Sequence, residues 1–219
     1  MDITEIISHQ HDEQRRMFAY LEEWPRDDHE GLAAVWKRLA ILLETHAEAE
    51  ERYFYPELLR LGTGGADAES TEEEVEDAVK DHNEIRAAVR AADEHETGSD
   101  DWWTAVIDAN VHNSDHMGEE ERQDLADFRQ QASLELRHEI AVKFLRYEAQ
   151  TAATGIEPKD KDPEQFVETQ GDELAPDGGS AGASDSEREA HKMATDAAEG
   201  VAPTGEGDSL KSSPEAAEG

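Results

Sequence analysis

The feature that most constrains the fold is a set of four apolar stripes that each run into a histidine. In four segments, apolar residues recur at i, i+3 and i+4, the spacing that places them on one face of an α-helix. Continued along its helix, each stripe meets a histidine, and two stripes also meet a glutamate. We call these the inward residues: His11, His46, Glu50, His82, His116 and Glu120. A fold for this chain therefore has to bury imidazoles and carboxylates together.

The spacing of apolar residues predicts an all-α protein, because no stretch alternates apolar and polar residues as a strand does. The first predicted helix ends at Trp24-Pro25, and the second continues to Leu58 before the glycines of "LGTGGAD". The third begins at Ser70 or Thr71, and the fourth runs from "SDDWW" to Phe128. Short connections favour an antiparallel up-and-down four-helix bundle. A fifth helix, "SLELRHEIAVKFLRYEAQ" (133–150), is expected to pack outside it.

The composition changes near residue 155. The first 150 residues hold all four tryptophans, all four tyrosines and four of the five phenylalanines. Beyond Gly155 the chain is rich in Gly, Pro, Ser, Ala and acid, with too little apolar surface to offset the entropy of ordering. We therefore predict a helical domain over 1–152 and an acidic disordered tail over 153–219, in which residues 164–167 dock only weakly through Phe166. Deleting 155–219 is then expected to leave stability and metal content nearly unchanged.

Charge and residue usage exclude several classes of function. The chain has 55 Asp and Glu against 20 Lys and Arg, a formal net charge of −35. Such a charge repels nucleic-acid phosphates and anionic membrane surfaces, so neither is an expected partner. The chain has no cysteine, which excludes thiolate metal sites and cysteine nucleophiles. No apolar run is long enough to span a membrane, and the N-terminus lacks the pattern of a signal peptide. We expect a soluble, cytoplasmic protein.

An internal repeat strengthens the interpretation of the inward residues as metal ligands. "HAEAEE" (46–51) matches "HMGEEE" (116–121), and "QHDEQR" (10–15) matches "DHNEIR" (81–86). One buried histidine is more often a hydrogen-bonded core residue, and one HxxxE in so acidic a chain is more often an exposed face. Two units of each kind in repeated order favour a metal pair, because two unpaired buried carboxylates would cost several kcal/mol. The nearest basic residues are Arg15 and Arg86.

Residues 3–130 resemble a hemerythrin-like domain of the HHE cation-binding family. The signature of that family is His, HxxxE, His, HxxxE on four successive helices, and the inward residues match it position by position; "YFYPELL" (53–59) also resembles the family's sequence there. The resemblance implies a non-haem di-iron centre, bridged by carboxylates, that binds or reacts with dioxygen, peroxide or nitric oxide. The chain is closer to bacterial hemerythrin-like proteins than to the oxygen carrier. It has Arg86 where the carrier has a fifth histidine, and its carboxylate in helix four is Glu120, four residues after His116.

The sequence leaves some ligands and the metal open. Imidazole and carboxylate donors without thiolate suit iron, manganese or zinc, and we expect two iron ions per chain. Glu51 and Glu121 are interpreted as hydrogen-bond acceptors behind the ligands, although either could replace its neighbour. His112, one turn before His116, is interpreted as lining the core or supporting the ligands, although it could be an extra ligand. Tyr53 and Tyr55 are interpreted as packing aromatics.

The functional prediction is a di-iron protein that senses or scavenges dioxygen, nitric oxide or peroxide. Catalase-like peroxide turnover is the enzymatic form of this hypothesis. One alternative is an iron sensor or store without turnover, and the other is a metal-free helical interaction module. The expected partners are small diatomic molecules or peroxide, and no protein partner is predicted.

Overall fold

The computed structural model describes residues 1–64 and 70–174, with side chains up to residue 171. The described residues form helices and no strand, which confirms the all-α prediction. No described helix is long and apolar enough to cross a membrane. The helices are α1 (Ile3–Glu23), α2 (His29–Tyr53), α3 (Tyr55–Leu61), α4 (Thr71–Asp93), α5 (Asp100–Arg122), α6 (Asp124–Gln131), α7 (Leu134–Thr151) and α8 (Pro163–Leu174).

The four long helices α1, α2, α4 and α5 form the predicted bundle around the inward residues. Each begins at a capping side chain that accepts a hydrogen bond from a backbone N–H of the first turn, as N-cap residues do: Asp2, Asp28, Ser70 and Ser99. The apolar core forms two clusters. One contains Ile7, Phe54 and Val79, and the other contains Phe18, Leu39 and Val89. On α1, α2 and α4 the inward histidine lies between residues of the two clusters, so a polar layer crosses the apolar core.

Two helices end earlier than the sequence predicted. The second stops at Tyr53 and the fourth at Arg122, and each is followed by a separate short helix, α3 or α6. Pro56 explains the first break, because a proline inside a helix removes an N–H donor and clashes with the carbonyl four residues before it. At the second break Gln123 has φ −109° and ψ −76°, and no proline or glycine accompanies it. Both breaks fall within four residues of an inward glutamate.

α7 packs against α1 and α2, outside the bundle as predicted, and buries Phe144 completely. The chain beyond residue 152 differs from the prediction of a disordered tail. α8 is a three-turn helix that packs on α3 and α4, with Val167 9% exposed. Polar contacts anchor the segment before it: the Asn83 side chain bonds both backbone groups of Lys161, and Arg90 pairs with Asp160. The predicted boundary at 152 therefore lies inside the packed structure, and the remainder of the predicted tail, 175–219, lies outside the described residues.

Candidate metal site

The structure brings all six inward residues together in the middle of the bundle. Each is at most 3% exposed. The Nε2 atom of His46 lies 2.8 Å from Oε1 of Glu50, and Nε2 of His82 lies 3.3 Å from Oε2 of the same carboxylate. The Nε2 atoms of His82 and His116 are 3.1 Å apart. Nε2 of His11 lies 3.2 Å from Oε2 of Glu120. The corresponding nitrogen of every histidine thus faces one common region.

Within this cluster, two groups of three residues have the spacing of a metal site. His11, His46 and Glu50 form one, and Glu50, His82 and His116 form the other; in each, one donor atom per residue lies within 4.8 Å of the others. Glu50 belongs to both groups and places one carboxylate oxygen near each histidine pair. Glu120 is outside both groups and contacts only the first through His11. The carboxylates are therefore unequal, with Glu50 in the shared position.

Several donor atoms at the centre lack hydrogen-bond partners. Among the described residues, Nε2 of His11 and His46, both oxygens of Glu50 and Oε2 of Glu120 are fully buried and make no hydrogen bond. The 2.8 Å contact between His46 and Glu50 is close, but its direction is not that of a hydrogen bond. Buried polar atoms are nearly always paired, so a cluster of unpaired nitrogen and oxygen donors needs a partner. A metal ion fits, because it binds several such donors and supplies positive charge.

The other ring nitrogen of three inward histidines is held by a side-chain oxygen. Nδ1 of His11 lies 2.9 Å from Oε1 of Glu121, and Nδ1 of His82 lies 2.8 Å from Oε1 of Glu51. Nδ1 of His46 lies 2.6 Å from Oε1 of Gln10. An N–H donated outward to such an acceptor fixes the ring and leaves the Nε2 lone pair directed inward. Glu51 and Glu121 occupy the supporting positions that the sequence analysis favoured for them.

The internal repeat extends to the arginines. Arg15 donates to the Glu121 oxygen that bonds His11, at 2.9 Å, and Arg86 donates to the Glu51 oxygen that bonds His82, at 2.8 Å. Each half of the repeat therefore supplies a histidine and an arginine, four residues apart, that both contact one glutamate of the other half. That glutamate is Glu121 for the first half and Glu51 for the second. The two copies differ in burial, because Arg86 is 1% exposed whereas the Arg15 side chain is 40% exposed.

The charges of the cluster are strongly interdependent. Burial would lower the pKa of His11, but the adjacent carboxylates of Glu120 and Glu121 raise it to about 9. Burial likewise opposes protonation of His82, yet Glu50 and Glu51 raise its pKa to about 9. Burial and the nearby charge of His82 hold the pKa of His116 well below its ordinary value. Without a metal ion, the raised pKa values of His11 and His82 favour their protonated forms beside the buried carboxylates.

Three other residues differ from the sequence interpretation or were missed by it. Tyr55 was interpreted as a packing aromatic, but its hydroxyl donates to Oε1 of Glu120 at 3.3 Å and its ring stacks on His82. His112 is half-buried and pairs with Glu84 at 3.0 Å, away from the cluster. Gln14 is fully buried one turn after His11, and neither atom of its amide has a partner among the described residues. Its inward position on α1 was visible in the sequence, three residues after His11.

Comparison with known proteins gives one match. The family model described as hemerythrin HHE cation binding domain matches residues 2–128. That range contains all six inward residues and helices α1 to α5. No curated protein and no solved structure gives a significant match to the chain.

Proposed function

Because the chain belongs to the hemerythrin HHE cation-binding family, we propose that the inward residues hold two iron ions and that the protein binds or reacts with dioxygen, nitric oxide or peroxide there. The observation that carries this proposal is the pair of three-residue groups that share Glu50. Two neighbouring sets of donors with one carboxylate in common are what a bridged metal pair requires. In this proposal His11 and His46 serve one ion, and His82 and His116 serve the other.

The chemistry of the donors favours iron. Imidazole and carboxylate ligands without thiolate suit iron, manganese and zinc, and carboxylate and histidine side chains on facing helices are the framework of di-iron bundles. Bound iron would supply open coordination positions for a small ligand and a change of oxidation state. The chain contains no cysteine, so no thiolate is available to select a softer metal.

The protein's own contribution is to orient the donors and to limit access of water. Glu51, Glu121 and Gln10 fix the ring orientation of three histidines through Nδ1. Apolar clusters lie on both sides of the polar layer, with Phe54 and Leu39 fully buried. These contacts hold the donor atoms in place before any ion or ligand arrives, which reduces the reorganisation needed on binding.

Two buried polar groups close to inward residues are candidates to contact a small ligand. The Tyr55 hydroxyl contacts Glu120, and the Gln14 amide lies one helical turn from His11 with both its donor and its acceptor unpaired among the described residues. A buried amide in this position can donate to a ligand oxygen or nitrogen and accept from a protonated one. Because a small ligand is fixed by few contacts, one such group contributes substantially to its orientation.

The proposal is tested with iron-loaded protein under anaerobic conditions. Nitric oxide, dioxygen and hydrogen peroxide are added separately while the visible absorption spectrum is recorded, and oxygen evolved from peroxide is measured with an electrode. We expect a spectral change with at least one ligand for the wild type and for Glu22→Ala, which alters an exposed glutamate, and none for Glu50→Ala. Iron-loaded wild type that responds to none of the three would refute ligand reactivity and favour an iron sensor or store.

A further inference from the structure

A cavity lined by carboxylates reaches the metal site from the surface. It has a volume of about 250 Å³ and lies between α4 and the junction of α5 with α6. Seven of its ten lining residues are Asp or Glu, and no Lys or Arg is among them. His116 and Glu120, two of the inward residues, form part of its lining. The cavity is therefore continuous with the proposed iron centre and is negatively charged along its wall.

The acidic residues of this cavity form a graded series from solvent to the interior. Asp77 and Glu119 are exposed at the mouth, Asp81 is half-buried, and Asp124 is 4% exposed. The most buried part of the lining also includes the inward pair His116 and Glu120, which are 3% and 1% exposed. Oxygen donors are thus available at successive depths, with no basic residue of the lining to obstruct a cation.

Asp124 is the least expected member of the series. Among the described residues it makes no hydrogen bond and no ion pair, although it is almost completely buried. Burial and the neighbouring charges of Glu120, Glu74 and Glu50 raise the pKa of Asp124 well above its ordinary value. An ionised carboxylate in such a position costs free energy unless a cation pairs with it. Asp124 is the first residue of α6, directly after the break at Gln123.

We propose that this cavity is the entry passage for the divalent metal ion and that Asp124 is its inner transit ligand. The proposal rests on the metal centre proposed above and adds the route by which that centre is filled. Asp77 and Glu119 attract the hydrated cation, Asp81 and Asp124 replace its water ligands, and Glu120 and His116 receive it. Asp124 carries the ion in transit and is not a ligand of the loaded centre.

Electrostatics and ligand exchange both favour this route. A cleft lined by one sign of charge concentrates ions of the opposite sign and speeds association, by a factor that falls as ionic strength rises. Carboxylate oxygens are good ligands for hard divalent cations, so each step exchanges water for an oxygen of similar character. The passage ends at imidazole nitrogens, which bind iron or cobalt ions more selectively than oxygen does.

The test is the rate at which full-length metal-free protein takes up Co²⁺, which reports its coordination through visible absorption bands. Asp124→Asn keeps the shape of the side chain but removes the ligand charge. We expect it to slow Co²⁺ uptake by about tenfold or more, within the range of electrostatic effects on association, while the final Co²⁺ content stays equal to that of the wild type. Thermal melting of the metal-free variant establishes that the fold is unchanged.

A pair of double variants separates the passage from net charge. Asp77→Asn/Glu119→Gln neutralises the mouth, and Glu22→Gln/Glu23→Gln removes the same charge from exposed positions at the end of α1. The mouth variant should load Co²⁺ several times more slowly than the control at low salt, and the difference should shrink as salt is added. Equal rates for the two double variants would overturn the role of the mouth.

The Co²⁺ experiments distinguish an error in the proposed passage from an error in the proposed metal centre. If wild type binds no Co²⁺, the proposed centre itself is absent. If wild type binds Co²⁺ and Asp124→Asn loads at the same rate, the centre stands and the transit role of Asp124 is overturned. A lower final Co²⁺ content in Asp124→Asn would also overturn the transit role, because Asp124 would then be a permanent ligand.

Discussion

The ammonium group of Lys161 forms an ion pair with Glu51, although 110 residues separate them in the chain. Glu51 also bonds Nδ1 of His82, so a residue beyond the bundle contacts an inward histidine through one intermediate carboxylate. Burial would raise the pKa of Glu51, but His82, Arg86 and Lys161 lower it to about 2. The segment leading to α8 is thus electrostatically connected to the metal site.

This contact predicts that two truncations behave differently. Removing residues 175–219 should leave the melting temperature and iron content close to those of the full chain. Removing 155–219 also deletes α8 and Lys161, and should cost about 1–3 kcal/mol because buried apolar surface is exposed and Glu51 loses a cation. Thermal melting and iron analysis of both truncations make the comparison. Identical behaviour of the two would show that the docked segment contributes nothing, as the composition alone had suggested.

Replacing the inward glutamates should have unequal effects. Glu50→Ala removes the residue common to both three-residue groups and should eliminate bound iron, whereas Glu120→Ala leaves both groups intact and should retain part of it. Glu22→Ala, which alters an exposed glutamate at the end of α1, is the control and should keep full iron content. Iron per chain after gel filtration is the measurement. Full iron content in Glu50→Ala would disprove its shared position.

The metal-free protein should lose stability as pH rises. The folded-state pKa values of His11 and His82, about 9, lie above the unfolded value near 6.5. Their contribution is therefore fully present below pH 6.5 and is lost as pH rises through about 9. We expect the melting temperature of metal-free protein to fall by on the order of 5 °C between pH 6.5 and 9.5. A rising melting temperature over this interval would show that the two histidines are neutral in the metal-free fold.

Gln14→Leu tests the buried amide that lies one helical turn from His11. The substitution removes two buried polar atoms without partners and keeps an apolar group of similar size, so it should stabilise the metal-free bundle by about 1–2 kcal/mol. If the Gln14 amide contacts a ligand of the metal centre, the iron-loaded variant should bind azide several times more weakly than the iron-loaded wild type does. The variant leaves in place Gln10, the glutamine of α1 whose side chain bonds Nδ1 of His46. Unaltered azide affinity would exclude contact between Gln14 and the ligand.

The bundle was predictable because its signals are local. Apolar residues at helical spacing, capping residues such as Ser70 and the proline after Trp24 determine helices without reference to the rest of the chain. The repeat then assigned the six inward positions, and the structure brings those positions together. Pro56 also indicated locally that α2 ends before it. The predicted helix extended to Leu58 because the apolar residues continue at helical spacing.

The remaining features depend on contacts between distant parts of the chain. Lys161 and Asn83 are 78 residues apart, and the bonds between them order a segment whose composition indicates disorder. The hydroxyl of Tyr55, the first residue of α3 after the break in α2, reaches Glu120, which is 65 residues away in the chain. The spacing of apolar residues predicts the helix face on which a residue lies, but not the residue that it contacts on another helix. These pairs could therefore not be predicted from one sequence.

The most direct test of the metal centre is the iron content of full-length protein, expressed in iron-supplemented medium and purified without chelator. Two inward groups that share Glu50 predict about two iron atoms per chain, with charge-transfer absorption in the near ultraviolet and visible when oxidised. Iron is quantified by elemental analysis against protein concentration, and the spectrum is recorded on the same sample. Two iron atoms with that absorption would support the account. One iron atom or none would contradict it.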